Sequence, residues 1–503
     1  MTGGLLATPA PAALCYVAFK VLRFLVGLPD LGPWRLAGAL VVLLDLFAIG
    51  RAVSRRQGVE ATLAWIFAIL ALPGAGAIAY LLLANPRLPR RSRRMQRARE
   101  AARAAGRIVH RVDLEEGAGP GDFSVLRLAA ATTGFAPRAG NRVELLTRDE
   151  AAVDRMWRAF LEARRSIWAE YYIIANDDTG ALFLDLLADR ARAGLEVRLI
   201  YDAVGSWGID RRRLEAIRTA GGHAAEFLPM NPVRRRWSVH LRNHRKLVVV
   251  DGEVAFTGGM NVGDEYSGLG RRRGRDTFRD SHLELGGPVV GDLARLFAED
   301  WEFATGEPLP VRARPPAEAG ADSVVSVLPS GPDQTRNASG LAFFAGIATA
   351  RQRIWLTSAY FVPETPTVQA LVASALRGVD VRVLVPRVLD VPLLGAAARS
   401  YYPALLEAGV RIWEYLPRML HAKTLVVDSS WGVVGSANVD VRSSQLNFEL
   451  GALVVDAAFA RRLEQAFEAD LAESEEIHVA RVRALPRLAR LRDGAARLLA
   501  PLL

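Results

Sequence analysis

From about Asn141 onward, one order of segments is written twice, and each copy ends in the pattern His-x-Lys-x-x-x-x-Asp. The first copy is His244-Arg245-Lys246 through Asp251, and the second is His421-Ala422-Lys423 through Asp428. The likeness extends upstream. Residues 163–168, ending in Trp168, lead into an aromatic and β-branched run, as do residues 350–355, ending in Trp355. A helical segment follows in each copy, then Gly194-Leu195-Glu196-Val197-Arg198 or Gly378-Val379-Asp380-Val381-Arg382. The offset between copies is 187 residues at the tryptophans, 184 at the glycines and 177 at the motif histidines, a drift that small deletions produce. Repetition on this scale means a duplicated domain and not a solenoid. Strands alternating with helices make each half α/β.

Composition sharpens the motif. The chain has 64 basic residues, yet only Lys20, Lys246 and Lys423 are lysines, and two of its seven histidines sit two places before the last two. Lysine offers a compact, rotatable ammonium where arginine offers a rigid fork, and the two differ in how they meet a phosphate. Downstream of each lysine, Leu247-Val248-Val249-Val250 and Leu425-Val426-Val427 are unbroken apolar runs, predicting strands buried on both faces. Histidine and lysine, two apart, then project from one side of the strand's beginning. A small-residue corner follows in each half, Gly258-Gly259-Met260-Asn261 and Gly435-Ser436-Ala437-Asn438, whose asparagines are also 177 apart.

If the halves face each other about a pseudo-twofold axis, two imidazoles, two ammonium groups and two carboxamides meet. That array suits a phosphodiester. Lysines and asparagines donate to oxygens on which charge builds, one neutral imidazole attacks phosphorus, and the other, protonated, protonates the departing alkoxide. The chemistry requires neither metal nor cofactor, and the sequence alone does not divide the two roles between His244 and His421.

These residues resemble the phospholipase D superfamily, whose signature is the duplicated His-Lys-Asp motif, and the whole chain looks like its bacterial cardiolipin synthase family. The resemblance implies a fold of two phospholipase D-like domains, mixed β-sheets flanked by helices. It implies a catalytic set of His244, Lys246, Asp251, His421, Lys423 and Asp428, with Asn261, Asn438 and Ser436 holding phosphate. Asn447-Phe448-Glu449 and Arg279-Asp280-Ser281-His282 match the family's carboxylates, so Glu449 and Asp280 are expected to support the catalytic histidines. His244 is then expected to be the nucleophile and His421 the acid and base. Tyr360-Phe361-Val362-Pro363 is similar to a further family segment. Two departures stand out: Gly259 replaces the serine found at 436, and an arginine-rich insertion, residues 268–275, lengthens the first half.

The N-terminal region has another character. Hydrophobic residues make up 51% of the chain and its mean hydropathy is +0.13, more apolar than a water-soluble enzyme needs. Residues 61–83 form a run of 23 without a charge, enough to cross a ~30 Å hydrocarbon layer, although Pro73, Gly74 and Gly76 interrupt it. Residues 36–49 predict a second span despite Asp45, and residues 17–28 an interfacial segment. Nine arginines between 87 and 107 follow the hairpin, and by the positive-inside rule place both its ends in the cytoplasm. The expected order is an interfacial segment (1–30), two transmembrane helices (31–85), a basic lead-in (86–140), the halves (141–310 and 311–475) joined by a Pro- and Gly-rich linker within 306–331, and an amphipathic C-terminal helix (476–503). The lone Cys15 forms no internal disulfide.

A net charge of +10 calls for an anionic partner. An anionic bilayer fits best, because the charge hugs the apolar segments and no basic-aromatic platform for nucleic acid stands out, and the resemblance implies phosphatidylglycerol and other anionic phospholipids as the lipids it meets. The resemblance makes the expected protein a multi-pass enzyme of the bacterial inner membrane, with its catalytic halves cytoplasmic. It would transfer a phosphatidyl group between phosphatidylglycerols to give cardiolipin and glycerol. A hydrolytic phospholipase D, a phosphodiester nuclease and an inactive membrane scaffold are the alternatives the residues leave open.

Overall fold

The computed structural model describes residues 33–54, 59–83, 120–147, 149–230, 241–268, 277–312, 315–334 and 337–499. The expected interfacial segment, the whole arginine run between residues 87 and 107 and all of the arginine-rich insertion but Gly268 lie outside these. The chain divides into two compact units, residues 1–86 and 87–503.

In the first unit the two apolar segments exchange their expected ranks. The segment carrying Asp45 is one unbroken helix, α1 (Pro33–Ser54), and its stretch Leu36–Ser54 is, among the described residues, the one helix long and apolar enough to span a membrane. The longer run breaks into α2 (Val59–Ala71) and α3 (Ala75–Leu83). The expected two-span hairpin is therefore corrected to one spanning-length helix beside a broken pair. Pro73 cannot donate to the helical ladder, and Gly74 takes a φ of +75° that suits glycine. The Gly74 N–H, freed by the break, donates to Asp45 Oδ1 at 3.0 Å, which gives the carboxylate of α1 its partner. A Cβ on Gly76 would lie 2.4 Å from the Ala68 carbonyl oxygen, so the turn closes only around glycine. Ala48, Ala52, Ile69, Ala77 and Tyr80 form the inner core of this unit, while Leu40, Leu43, Phe47, Phe67 and Leu70 face outward, as a lipid-facing surface requires.

In the second unit the first half supplies β1 (Arg138–Leu146), β2 (Ser166–Tyr171), β3 (Glu196–Asp202), β4 (His223–Phe227), β5 (Arg242–Asn243), β6 (Leu247–Val250), β7 (Val254–Gly258) and β8 (His282–Gly286). The second supplies β9 (Ser323–Ser330), β10 (Arg353–Thr357), β11 (Phe361–Val362), β12 (Asp380–Pro386), β13 (Arg411–Tyr415), β14 (Thr424–Val427), β15 (Trp431–Gly435), β16 (Val439–Asp440), β17 (Asn447–Val455) and β18 (Ser474–Ile477). The first half is ordered β1-β8-β7-β6-β2-β3-β4 and the second β9-β17-β15-β14-β10-β12-β13, with β18 added at the far edge. The two orders match strand for strand, so the duplication read from the motifs is a duplication of topology. In each half, three strands run parallel and the motif strand, β6 or β14, lies antiparallel to the first of them. The halves join through β1 and β9, which pair at Arg138–Val325 and Asn141–Ser323.

The expected linker is corrected in its second part. Residues 323–330 form the central strand β9, paired along seven positions with β17. Pro329, near the strand's end, and the Pro- and Gly-rich residues before it disguise the apolar run. The lead-in also does more than connect: in the helix Pro120–Thr133, Val125, Leu126 and Ala129 are buried in the second half's core.

Asp251 and Asp428 end the motif strands at positive φ (55° and 51°), pointing away from the histidines. Asp251 accepts from the N–H groups of Arg164, Arg165 and Ser166 at 2.9, 2.7 and 2.8 Å. Asp428 accepts from Arg351, Gln352 and Arg353 at 2.9, 2.7 and 2.9 Å. Each carboxylate pins the start of the neighbouring strand, β2 or β10. Asp251 and Asp428, expected in the catalytic set, thus lie a strand's length from the histidines and make structural contacts there. Asp251→Ala should cost about 2 kcal/mol, the loss of three charge-assisted hydrogen bonds at a partly exposed site. A lowered thermal midpoint with turnover retained in the folded fraction is the expected outcome; full stability with abolished turnover would return Asp251 to catalysis.

Candidate active site

Both His-Lys pairs sit where the motif strand begins, opposite the end of the first parallel strand, with Leu247 facing Glu170 and Thr424 facing Thr357. Each pair is stitched to the other half. β5 pairs with the start of β17, and the His244 N–H donates to the Phe448 carbonyl at 2.8 Å. In the mirror arrangement, Leu420 bridges Arg279, and the His421 N–H donates to the Arg279 carbonyl at 2.7 Å. The residue after each of those carbonyls is a carboxylate. Glu449 of the second half meets His244 Nδ1 at 2.9 Å, and Asp280 of the first half meets His421 Nδ1 at 2.7 Å. The sequence identified both carboxylates but not the exchange. A carboxylate that accepts a hydrogen bond from Nδ1–H fixes the tautomer and leaves the Nε2 lone pair for chemistry.

The lysines close the site. Lys246 Nζ donates to the His244 carbonyl at 2.8 Å, and Lys423 Nζ donates to the His421 carbonyl and lies 2.8 Å from His421 Nδ1. The halves differ here, since Lys423 and Asp280 both lie against the Nδ1 of His421, whereas Lys246 reaches the His244 carbonyl and Glu449 meets the His244 ring. Electrostatics links the pairs into one site: Lys246 feels Glu449, Lys423 and Asp280, while Lys423 feels Asp280 and Glu449.

All four basic groups are buried, and burial sets their protonation. It pulls His244 down to about 4, with Glu449 opposing and Lys246 assisting, and His421 down to about 4, with Lys423 assisting. It also draws Lys246 down to about 7 and Lys423 to about 8 against the pull of the carboxylates. Burial alone would raise both carboxyls. Lys423 and His421 instead hold Asp280 below its ordinary value, and His244, Lys246 and Ser436 do the same for Glu449. Near pH 7 the site therefore combines neutral imidazoles, ionised carboxylates and lysines close to their titration points.

The expected phosphate-binding residues divide. Ser436 Oγ donates to Glu449 Oε2 and accepts from the Leu450 N–H at 2.9 Å, so it braces the carboxylate. Its absence from the first half has a steric cause. A Cβ on Gly259 would lie 2.1 Å from Asp280 Oδ1, leaving no room for a serine. Asn261 is engaged, accepting from the Ile173 N–H at 3.3 Å and donating to the Tyr266 hydroxyl at 3.0 Å. Asn438 keeps a buried Oδ1 with no hydrogen-bond partner.

Sequence reading passed over the aromatic wall. Tyr172 packs edge-on to His244 with ring centres 4.9 Å apart, and Lys246 Nζ lies 5.5 Å from the same ring. Tyr266, Phe278 and Tyr360 surround His421 at 5.5, 5.7 and 6.4 Å. One signal was available: Tyr172 and Tyr360 lie four and five residues after the matched tryptophans, just beyond the ends of β2 and β10. Asn447, which donates to Glu449 Oε1 at 3.1 Å, was also missed as a functional residue.

Comparison with known proteins agrees with this geometry. Residues 156–272 and 343–471 match the family model described as cardiolipin synthase, PLD-like domain, and residues 40–85 match the one described as phospholipase D-nuclease N-terminal. Cardiolipin synthase A of Pseudomonas aeruginosa is 37% identical over 467 residues, 92% of this chain and 95% of the relative. The cardiolipin synthase of Geobacillus kaustophilus is 36% identical over 451 residues, 88% of this chain and 89% of the relative. Among solved structures, phosphatidylserine synthase of Haemophilus influenzae shares the fold with a TM-score of 0.59 at 15% identity, covering 76% of this chain and all of that one. Two matched halves, one shared site and near full-length relatives lead to one assignment: the chain belongs to the cardiolipin synthase family, with duplicated phospholipase D-like domains.

Proposed function

We propose that this chain is a membrane-bound phosphatidyltransferase that makes cardiolipin and glycerol from two phosphatidylglycerol molecules through a phosphohistidine on His244. The observation that carries this reading is the crosswise pair of histidine–carboxylate contacts, 2.9 and 2.7 Å, flanked by two buried lysines. With its Nδ1–H donated in a hydrogen bond to Glu449, His244 presents the Nε2 lone pair to phosphorus. Lys246 and Lys423 neutralise the oxygens of the phosphodiester, and the Asn438 side-chain N–H donates to one of them. The P–O bond to the headgroup glycerol breaks as the N–P bond forms, and His421 gives that glycerol oxygen its proton. In an empty site His421 is neutral, so the bound anion is what raises its proton affinity enough for this step.

In the second step the roles reverse. His421 takes the proton from a headgroup hydroxyl of a second phosphatidylglycerol, whose oxygen attacks phosphorus and expels His244 as the neutral imidazole. Water at the same place would give phosphatidic acid by the same chemistry. The membrane unit favours the lipid alcohol by holding the enzyme where headgroup hydroxyls are concentrated. Named relatives that are cardiolipin synthases over nearly their whole length support transfer, and neither hydrolysis nor nuclease action finds comparable support.

Three outcomes test this reading. The full chain in phosphatidylglycerol vesicles should yield cardiolipin and free glycerol in equal amounts; phosphatidic acid as the main product would make it a hydrolase. His244→Ala and His421→Ala should each lower turnover by on the order of 10³-fold or more. Lipid radiolabelled at phosphorus should mark His421→Ala covalently but not His244→Ala, and the reverse pattern would exchange the two roles.

The pH dependence of kcat/KM follows from the free site. Lys246 and Lys423 lose their protons as pH rises through about 7 and about 8, so the alkaline limb should fall and then steepen there. On the acid side, kcat/KM should drop as His244 gains a proton near 4 and loses its nucleophilic lone pair. Lys246→Arg keeps its charge throughout, so the break near 7 should vanish, at the cost of severe impairment in a site shaped for an ammonium. A profile flat to pH about 9 would remove the lysines from phosphate binding.

A further inference from the structure

The sheet edge that carries the histidines is defined by topology. β6 and β14 run antiparallel to their neighbours, so their beginnings lie at the ends of β2, β3, β10 and β12. The loops leaving β3 and β12 therefore border the site, and each is fastened to an aromatic residue over a histidine. After β3, Ser206 Oγ donates to the Tyr172 carbonyl at 2.9 Å and accepts from the Ile174 N–H at 3.0 Å; Tyr172 covers His244. After β12, Asp390 accepts from the Tyr360 hydroxyl at 2.8 Å, and Tyr360 flanks His421. Both loops also hold a large apolar side chain out to solvent, Trp207 at 69% exposure and Val388 at 62%.

The helix Arg487–Leu499 continues this rim. It packs on the helix Pro392–Arg399, which follows the second loop, through Ala496 and the Asp493–Arg399 ion pair. Residues 493 and 496 therefore mark its inner face. Leu488, Leu491 and Leu498 fall on the opposite face, 68–80% exposed, on a helix with four arginines against one buried aspartate. Leucines turned outward beside arginines are costly in water and suited to the headgroup boundary of an anionic bilayer.

We propose that this rim, formed by Trp207, Val388, Leu488, Leu491 and Leu498, docks the catalytic unit onto an anionic phospholipid surface with the histidine site facing the headgroups. The inference rests on the lipid-transferring reading of the site. It adds a second membrane contact, made by the catalytic unit itself. Charge complementarity and the apolar stripe choose a bilayer over a protein partner, since the arginines are spaced along the helix among the outward leucines.

The test uses the full chain with Cys15 replaced by serine, so that one introduced cysteine carries an environment-sensitive fluorophore. Leu491→Cys and Val388→Cys probe the rim. Leu376→Cys is the control, 72% exposed at the end of a helix that leads into the start of β12, and so at the opposite sheet edge. In vesicles of phosphatidylglycerol carrying brominated acyl chains, roughly half or more of the signal at 491 and 388 should be quenched while 376 is unaffected. No quenching at 491 and 388, or equal quenching at all three, overturns the proposal. Cardiolipin formation assayed on the same samples separates the readings: product without rim quenching leaves the transferase standing and removes only the docking surface.

Discussion

Each motif histidine is held by a carboxylate that the other half supplies. A buried imidazole must have its Nδ1 partnered if its Nε2 is to act, and here that partner comes across the seam. Glu449 and Asp280 each follow a residue whose carbonyl already binds the opposite histidine's backbone, so main chain and side chain enforce the same pairing. The sheet order, the β9–β17 ladder and the two-residue pairing of β5 with β17 all serve to keep these contacts in register. Asp251 and Asp428 contribute one strand away, by fixing where β2 and β10 begin.

Burial then gives the groups their properties. Lysines would normally stay charged well above neutrality, but surrounded by protein and facing each other they titrate near physiological pH. The carboxylates move the opposite way, because the same cations that destabilise one another stabilise them. The site is thus poised to gain positive charge when an anion enters and to release it when the anion leaves.

Much of this was legible before any coordinates. The His-Lys pairs stood out because lysine is so scarce in this chain, and the buried motif strands because continuous valines admit little else. What escaped was nonlocal or conditional. Nothing near Glu449 in sequence says that its histidine lies 205 residues away. The motif aspartates sit close to the histidines in sequence, and proximity along the chain hid a strand's length in space. Nothing around Ser436 in sequence says that its hydroxyl bonds Glu449, or that the missing hydroxyl at Gly259 has a steric reason. The N-terminal ranks reversed because hydropathy counts apolar residues without weighing Pro73, and because Asp45, penalised as a charge, finds its partner in the turn that Pro73 creates.

The glycine at 259 and the serine at 436 carry a wider implication. One half seats the shorter acid directly against bare backbone, while the other extends a longer acid and steadies it with a hydroxyl. The two active-site corners are therefore not interchangeable parts. Grafting the serine corner into the first half would collide with its aspartate unless that acid were rebuilt together with it, so the twin histidines rest on unlike supports.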